Sequence, residues 1–260
     1  MREGPLDLGK ARILVTNDDG IQAPGLRILM RIAKSVSPDV WLVAPETEQS
    51  ATSHSLTLRR PLRVRKLGNR RFAMDGTPTD CVLVALRKII KGRPPDLVLS
   101  GINPGANLGE DITYSGTVAA AMEAALLGVP AIALSQVRQP DQPIRWATAE
   151  HLAGGVVRKV TSVPWPRDVL MNINFPDLPP TEVKGVRVCR QGRRDEGTVV
   201  VEGHDPGGRP YVWIGSFLSD ATSEQDTDLA VIDGGAVAVT PLHLDLTHSA
   251  TLTRLDGVFS

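Results

Sequence analysis

Residues 12–25 read RILVTNDDGIQAPG, and the order of events in them sets the fold. Ile13, Leu14 and Val15 make a short continuous apolar run, which suits a strand covered on both faces. The run breaks at Asn17 and ends in two adjacent carboxylates, Asp18 and Asp19, followed by Gly20. A helical pattern then opens at Pro24, with Leu26, Leu29, Met30, Ala33 and Val36 at helical spacing. This is a strand, a polar turn and a helix, the first unit of an alternating α/β chain. The carboxylates pose the functional question. Two unit charges about 4 Å apart repel by roughly 4 kcal/mol at an effective dielectric of 20. Either they cap a turn and face water, or a cation lies between them.

The alternation continues. VWLVAP (40–45), DLVLS (96–100), AIALS (131–135) and VLMNINFP (169–176) read as buried strands. TPTDCVLVALRKIIKG (77–92) reads as a helix with Thr77 as N-cap, Pro78 at its first position, Asp80 in its first turn and Gly92 at its end. SGTVAAAMEAALLGVP and ATAEHLAGGVVRKV read as two more helices, the former stopped by Gly128 and Pro130. The expectation is a Rossmann-like three-layer α/β core over 11–182 with a mainly parallel sheet. After about residue 183 short strand-like runs alternate with Gly, Asp and Pro clusters. Residues 183–260 are therefore expected to be a β-rich C-terminal extension, with a hairpin arm packing on a partner subunit and a last core strand.

At 260 residues the chain is long enough to bury roughly 70–75% of its unfolded surface. Its 29 Lys and Arg balance 29 Asp and Glu, which argues against a nucleic-acid polymer or a membrane surface as partner. The first ten residues hold no apolar leader and no run of about 18 apolar residues occurs, so a cytoplasmic protein is expected. Cys81 and Cys189 stand far apart in no CxxC pair, which predicts neither a disulfide framework nor a zinc site.

In an open parallel sheet the ligand crevice lies beyond the carboxyl ends of the strands. Four polar stretches fall there: NDDG after the first strand, ETEQSATSHS (46–55) after the second, SGINPGANLGEDITYSGT (100–117) and SQVRQP (135–140). The fold thus brings Asp18, Asp19, Ser50, Asn103 and Ser115 to one edge. These are oxygen donors with no paired His or Cys, which selects a hard divalent cation, Mg²⁺, Mn²⁺ or Ca²⁺. Ser115-Gly116-Thr117 opens a helix and supplies the parts of an anion site, although a plain Ser/Thr cap has the same pattern.

Other motifs carry less. CVLVALR (81–87) spaces Cys and Arg as cysteine phosphatases do, but its interior is apolar and helical, so Cys81 reads as core. The aspartates are adjacent, not D-x-D as in haloacid-dehalogenase enzymes, and no RHG occurs. His54 either reaches the site or braces it. The basic run QGRRDEG (191–197) fits either a phosphate contact or a solvated turn, and Tyr211 and Trp213 fit core or interface packing.

Taken together, ILVTNDDG, APETEQSATSHS, DGTPTDCV, LVLSGINPGANLGEDITYSGTVAAAMEAALLGVPAIALS, MNINFP and VTPLHLDLT resemble the SurE family, the survival protein E nucleotidases, in order from about residue 11 to 250. The resemblance implies a divalent-metal-dependent phosphatase acting on nucleoside 5′- and 3′-monophosphates, with a β-rich C-terminal part used in homodimer or homotetramer contacts. It places metal ligands on Asp18, Asp19, Ser50 and Asn103, phosphate contacts on Asn107, Ser115, Gly116 and Thr117, and the catalytic work on Asp18, Asp19 and Asn107. Two positions depart from it: Ser53 and Ala119 stand where the family often has Gly. The rival reading is a regulatory module that binds metal and nucleotide without hydrolysis.

Overall fold

A computed structural model describes residues 4–194, 198–217 and 225–259 of the chain. In chain order the elements are β1 (Arg12–Thr16), α1 (Pro24–Val36), β2 (Asp39–Pro45), β3 (Val64–Gly68), β4 (Arg71–Met74), α2 (Pro78–Val84), β5 (Leu97–Pro104), α3 (Asp111–Tyr114), α4 (Gly116–Leu126), β6 (Ala131–Gln136), α5 (Trp146–Thr161), β7 (Val169–Phe175), β8 (Val186–Val188), β9 (Thr198–His204), β10 (Pro210–Phe217), α6 (Asp228–Asp233), β11 (Val237–His243) and α7 (Ser249–Phe259). Nine strands form one sheet in the order β3-β4-β2-β1-β5-β6-β7-β11-β8, and β9 pairs with β10 as a separate antiparallel hairpin.

The centre of the sheet is parallel: β1 lies between β2 and β5, and β6 and β7 continue on the far side. The chain moves outward from β1 in both directions, so the topological switch falls between β1 and β5. That is where an open α/β sheet leaves a crevice. The α/β reading with a mainly parallel sheet agrees with this architecture. The edges differ: β3 is antiparallel to β4, and β11 returns antiparallel to β7.

Strand alternation builds the two apolar layers. Ile13 and Val15 of β1 point into the core shared with α1 and α5, where Leu29, Ala33, Ala153 and Val157 pack. Leu14, between them, joins Val43 and the residues of α2 and α4 on the opposite face. Each fully buried side chain of this size contributes about 1.5–3 kcal/mol. Helix α4 is buried nearly all round, through Val118, Ala120, Ala121, Ala124 and Ala125, so its small residues let it approach the sheet closely. Gly25 serves a similar purpose at the start of α1. A methyl there would lie 1.9 Å from the Ile102 carbonyl oxygen, so only Gly lets the helix start sit on β5. Gly25→Ala is expected to lower the unfolding temperature by many degrees in a thermal melt, since overpacking against backbone costs about 1–3 kcal/mol or more.

Three sequence readings need correction in detail. The helix expected over 77–92 is α-helical only to Val84 and continues as a π turn over Ala85–Ile89. Its start is as read: Thr77 Oγ1 accepts from the Asp80 amide at 3.1 Å while Asp80 Oδ2 accepts from the Thr77 amide at 2.9 Å, a capping box. The hairpin β3–β4 was not anticipated. The C-terminal stretch also contains helices, since α6 and α7 accompany its strands.

Candidate active site

Asp18, Asp19, Ser50, Asn103, Asn107 and Ser115 line one cleft of about 410 Å³ at the β1/β5 switch. They come from the end of β5 and from the segments that follow β1, β2 and β5. Hydrogen bonds from neighbouring elements hold them there.

Asp18 is buried and sits against the start of α4. Thr117 Oγ1 donates a hydrogen bond to Asp18 Oδ1. Asp18 is thus tied to the first turn of a helix 99 residues away, not to the one that follows it. Gly116 makes room for it, because a methyl there would stand 2.8 Å from Asp18 Cβ and 3.0 Å from Oδ2. Burial raises the Asp18 pKa above its ordinary value, with the Thr117 hydroxyl working the other way. Asp19 is pushed up to about 7 by burial, by the charge of Asp18 and by that of Glu48. Its Oδ2 is buried with no hydrogen-bond partner.

The Ser50 loop is fastened at several points. The Gln49 amide donates to the Asp18 carbonyl at 2.8 Å, and Ser53 donates from its amide to the Tyr114 carbonyl and from Oγ to the Thr113 carbonyl, at 3.2 and 2.7 Å. Beyond it the Thr57 amide donates to Asp80 Oδ1 at 3.0 Å, so the capping box of α2 also anchors this loop. His54 braces the loop: its Nε2 lies 3.0 Å from Glu123 Oε2 on α4. Ser53 takes φ +52, in the left-handed region where Gly is cheapest, and its two bonds offset the strain of a side chain there. Ser50 Oγ itself donates to Glu48 Oε1 at 2.7 Å.

Asn103 Nδ2 donates to the Gly105 carbonyl at 3.0 Å, which leaves Oδ1 as the oxygen it can offer a cation. Asn107 is clamped from β7. Its amide donates to Asn174 Oδ1 at 2.9 Å, its carbonyl accepts from Asn172 and Asn174, and its Nδ2 donates to Ser135 Oγ at 2.8 Å. The two asparagines of MNINFP therefore serve to place Asn107.

Of the four residues expected to contact phosphate, Asn107 and Ser115 line the cleft, and Gly116 and Thr117 do not. Ser115 serves the helix as well. Its Oγ accepts from the Val118 amide at 3.1 Å as the N-cap of α4. Thr117 is fully buried and spends its hydroxyl on Asp18. Thr117→Val is expected to weaken divalent-metal binding by about tenfold to a hundredfold, the usual effect of losing a partner that orients a ligand, as read by titration with Mn²⁺.

Sequence reasoning missed Glu48, Asp111, Tyr114 and Arg138, all of which line the cleft. Glu48 lies within the quoted loop, two residues from Ser50, and that spacing was the available signal. The run 191–197 was read as a phosphate contact or a solvated turn, and its residues 195–197 lie outside the described residues. Arg194 does neither. Its guanidinium is nearly buried and grips Asp111 at 3.2 and 2.9 Å, bracing the loop under the cleft. Asp228 completes the brace by accepting from the amides of Gly109 at 3.0 Å and Gly192 at 2.8 Å. Cys81 is core, as read, while Tyr211 and Trp213 are exposed on β10.

No group of three or more His, Cys, Asp or Glu side chains suited to a metal occurs among the described residues. The donor set therefore depends on Asn103 and Ser50 to complete two carboxylates. It fits a hard cation on its own chemistry: an orphaned buried carboxylate oxygen on Asp19, two like charges held side by side, and oxygen donors only.

Comparison with known proteins adds an independent line. The family model described as Survival protein SurE matches residues 13–198. The chain is 55% identical to the protein named 5′-nucleotidase SurE of Paramagnetospirillum magneticum over 97% of either chain. It is 52% identical to the protein of the same name from Parvibaculum lavamentivorans, over 94% of this chain and 90% of the relative. A crystal structure of the SurE protein from Aquifex aeolicus superposes with a TM-score of 0.83 at 40% identity, covering 96% of this chain and all of that one.

Proposed function

The chain belongs to the SurE family, and from that premise we propose that it is a 5′-nucleotidase, a phosphomonoesterase that releases inorganic phosphate from nucleoside monophosphates. The reading extends to dependence on one divalent cation, Mg²⁺ or Mn²⁺ before Ca²⁺, and to 3′-monophosphates as second substrates. The observation that carries it is the convergence of Asp18, Asp19, Ser50, Asn103 and Asn107 on one cleft at the sheet's switch point.

Uncatalysed phosphomonoester hydrolysis is among the slowest reactions known, and enzymes accelerate it by up to about 10²¹-fold. Positioning and charge stabilisation must supply most of that. Asp18, Asp19, Ser50 and Asn103 would hold the cation. Bound there, it supplies Lewis-acid polarisation of the phosphoryl group and neutralises the charge that develops on it. The protein does the rest. Asn107 and Ser115 face the cleft and hold the phosphoryl oxygens, and Arg138 at the rim adds positive charge. Asp18 is committed to Thr117 and is a fixed wall of the site. Asp19 lines the cleft with its carboxylate uncommitted to a neighbouring hydroxyl, so it is the carboxylate able to take the proton of the attacking water.

Substrate enters as a soluble nucleotide, and no helix among the described residues is long and apolar enough to cross a membrane. Both cysteines are buried thiols, which suits the reducing cytoplasm where we place the enzyme. The exposed hairpin β9–β10, with Val212, Trp213 and Ile214 outward, supports a homodimer or homotetramer.

The test is phosphate release from AMP and GMP by chelator-stripped protein resupplied with Mg²⁺ or Mn²⁺. Release only with metal is expected. Tight nucleotide binding without release under every metal would favour the regulatory module. Metal affinity should also fall below about pH 7, by about tenfold per pH unit, because Asp19, pushed up to about 7, must shed its proton to bind. A metal titration between pH 5.5 and 8 reads this directly.

A further inference from the structure

A second cleft, also of about 410 Å³, lies between α1 and the turn joining β3 to β4, and it shares no lining residue with the active site. Its rim is cationic on both sides. Arg27, Arg31 and Lys34 stand at i, i+4 and i+7 on one face of α1, and Arg70 and Arg71 face them from the hairpin. Its floor is apolar, formed by Leu26 and Met30 of the helix and by Val40 and Leu42, which share one face of β2. No acidic residue lines it.

Two of the cations are spoken for. Arg31 pairs with Glu150 at 2.7 Å and Arg70 with Asp39 at 2.9 Å. Arg27, Lys34 and Arg71 are exposed and form no ion pair among the described residues. The whole chain is neutral, so three uncompensated positive charges around one small cleft are a local concentration. Held apart by the rigid helix and the hairpin turn, they repel one another when the cleft is empty, and an anion between them relieves that.

We propose that this cleft binds a nucleoside di- or triphosphate as a ligand distinct from the substrate. Such a ligand carries about three or four negative charges at neutral pH, which matches the uncompensated cations, whereas a monophosphate carries about two. Its flat base covers the apolar floor beside Met30, and arginine guanidinium planes stack on it. The volume falls in the range of about 300–1,000 Å³ usual for small-molecule sites. Ile21 lines this cleft and lies two residues from Asp19, so the two sites flank the same turn.

The test is calorimetric titration of the full-length, chelator-treated protein with ATP, using wild type, Arg27→Glu/Arg71→Glu and Arg27→Gln/Arg71→Gln. ATP binding is expected to weaken at least tenfold in the charge reversal and by an intermediate factor in the glutamine pair. It is expected to survive in Asp19→Asn, and AMP hydrolysis by the reversal variant should stay within twofold of wild type, which separates this inference from the nucleotidase reading. Unchanged ATP binding in the reversal would overturn it. So would inorganic tripolyphosphate binding as tightly as ATP, because the floor would then be idle. Dissociation of an oligomer by the reversal in sedimentation would also overturn it, by making the cleft a subunit contact.

Discussion

Asp19→Asn lowers phosphate release at least a hundredfold, while the metal-free chain unfolds at the same or a higher temperature. Both halves come from one fact, the burial of a second carboxylate beside Asp18. On the proposed assignment the variant removes a cation ligand, and with it a buried carboxylate oxygen that no donor engages, so turnover collapses. It also removes a charge that the folded state holds at a cost, since burial and the neighbouring carboxylates push the group up to about 7. The sign follows from proton linkage. A carboxyl whose folded pKa lies above its unfolded value of 3.8 binds its proton more tightly in the native state. Its contribution to stability is therefore fully present below about pH 4 and is lost as pH rises through about 7. Melting curves of metal-free wild type should thus lose a component between pH 4 and 7 that Asp19→Asn lacks. A variant keeping more than a tenth of wild-type kcat, or melting well below wild type, would contradict the assignment.

Gly116→Ala is the second large effect, and it acts by pressing on Asp18 from the start of α4. The added methyl falls 2.8 Å from Asp18 Cβ and 3.0 Å from Oδ2, closer than carbon and oxygen approach without displacement. Neither neighbour can yield cheaply: Asp18 is buried and bonded to Thr117, and α4 is packed on the sheet. The carboxylate must therefore swing away from the cleft. A shift of about 1 Å at a catalytic group costs on the order of a hundredfold in rate. The expected result is a loss of about that size in kcat, with about 1–3 kcal/mol of destabilisation from overpacking. Here the glycine is required by close approach, not by its backbone angles, and Gly116→Ser should be no better tolerated. Wild-type kcat in Gly116→Ala would show that Asp18 is not held where the geometry puts it.

Much of this was legible in the residues. The alternation of apolar runs and helical spacing located the parallel core, because a strand buried on both faces reads as a short continuous apolar run. The polar breaks after those strands located the cleft, because strand ends in such a sheet share one edge. Thr77, Pro78 and Asp80 announced a helix start, and the capping box is there. The hairpin β3–β4 escaped because its strands, VRKLG and RFAM, are short, mostly exposed and charged. Gly68-Asn69 was the turn signal available for it. The division of labour at Ser115-Gly116-Thr117 was not legible either. A Ser/Thr/Gly helix start advertises anion binding whatever occupies it, and only the tertiary fold shows that the Thr117 hydroxyl is taken by Asp18 from the other end of the domain. Arg194 misled for a related reason. A basic run reads as a free charge until the partners 83 residues away, here Asp111, are brought to it.

The same long-range logic explains why so many of the site's supports are backbone contacts. Asn107 and the Ser50 loop are pinned through main-chain amides and carbonyls to β7, α3 and the Asp18 carbonyl. The Asn172 and Asn174 side chains that make the contacts to β7 are themselves buried, so the cleft is set up before any ligand arrives.

A bound cation is what the proposed nucleotidase asks of the two carboxylates that close β1. Titration of metal-free protein with Mn²⁺, followed by its paramagnetic resonance signal, measures this most directly. One Mn²⁺ bound per chain in wild type is expected, with affinity lowered at least tenfold in Asp19→Asn and in Asn103→Ala. Equal Mn²⁺ binding by wild type and both variants would mean that the cation lies elsewhere, and the assignment of this cleft as the metal centre would be wrong.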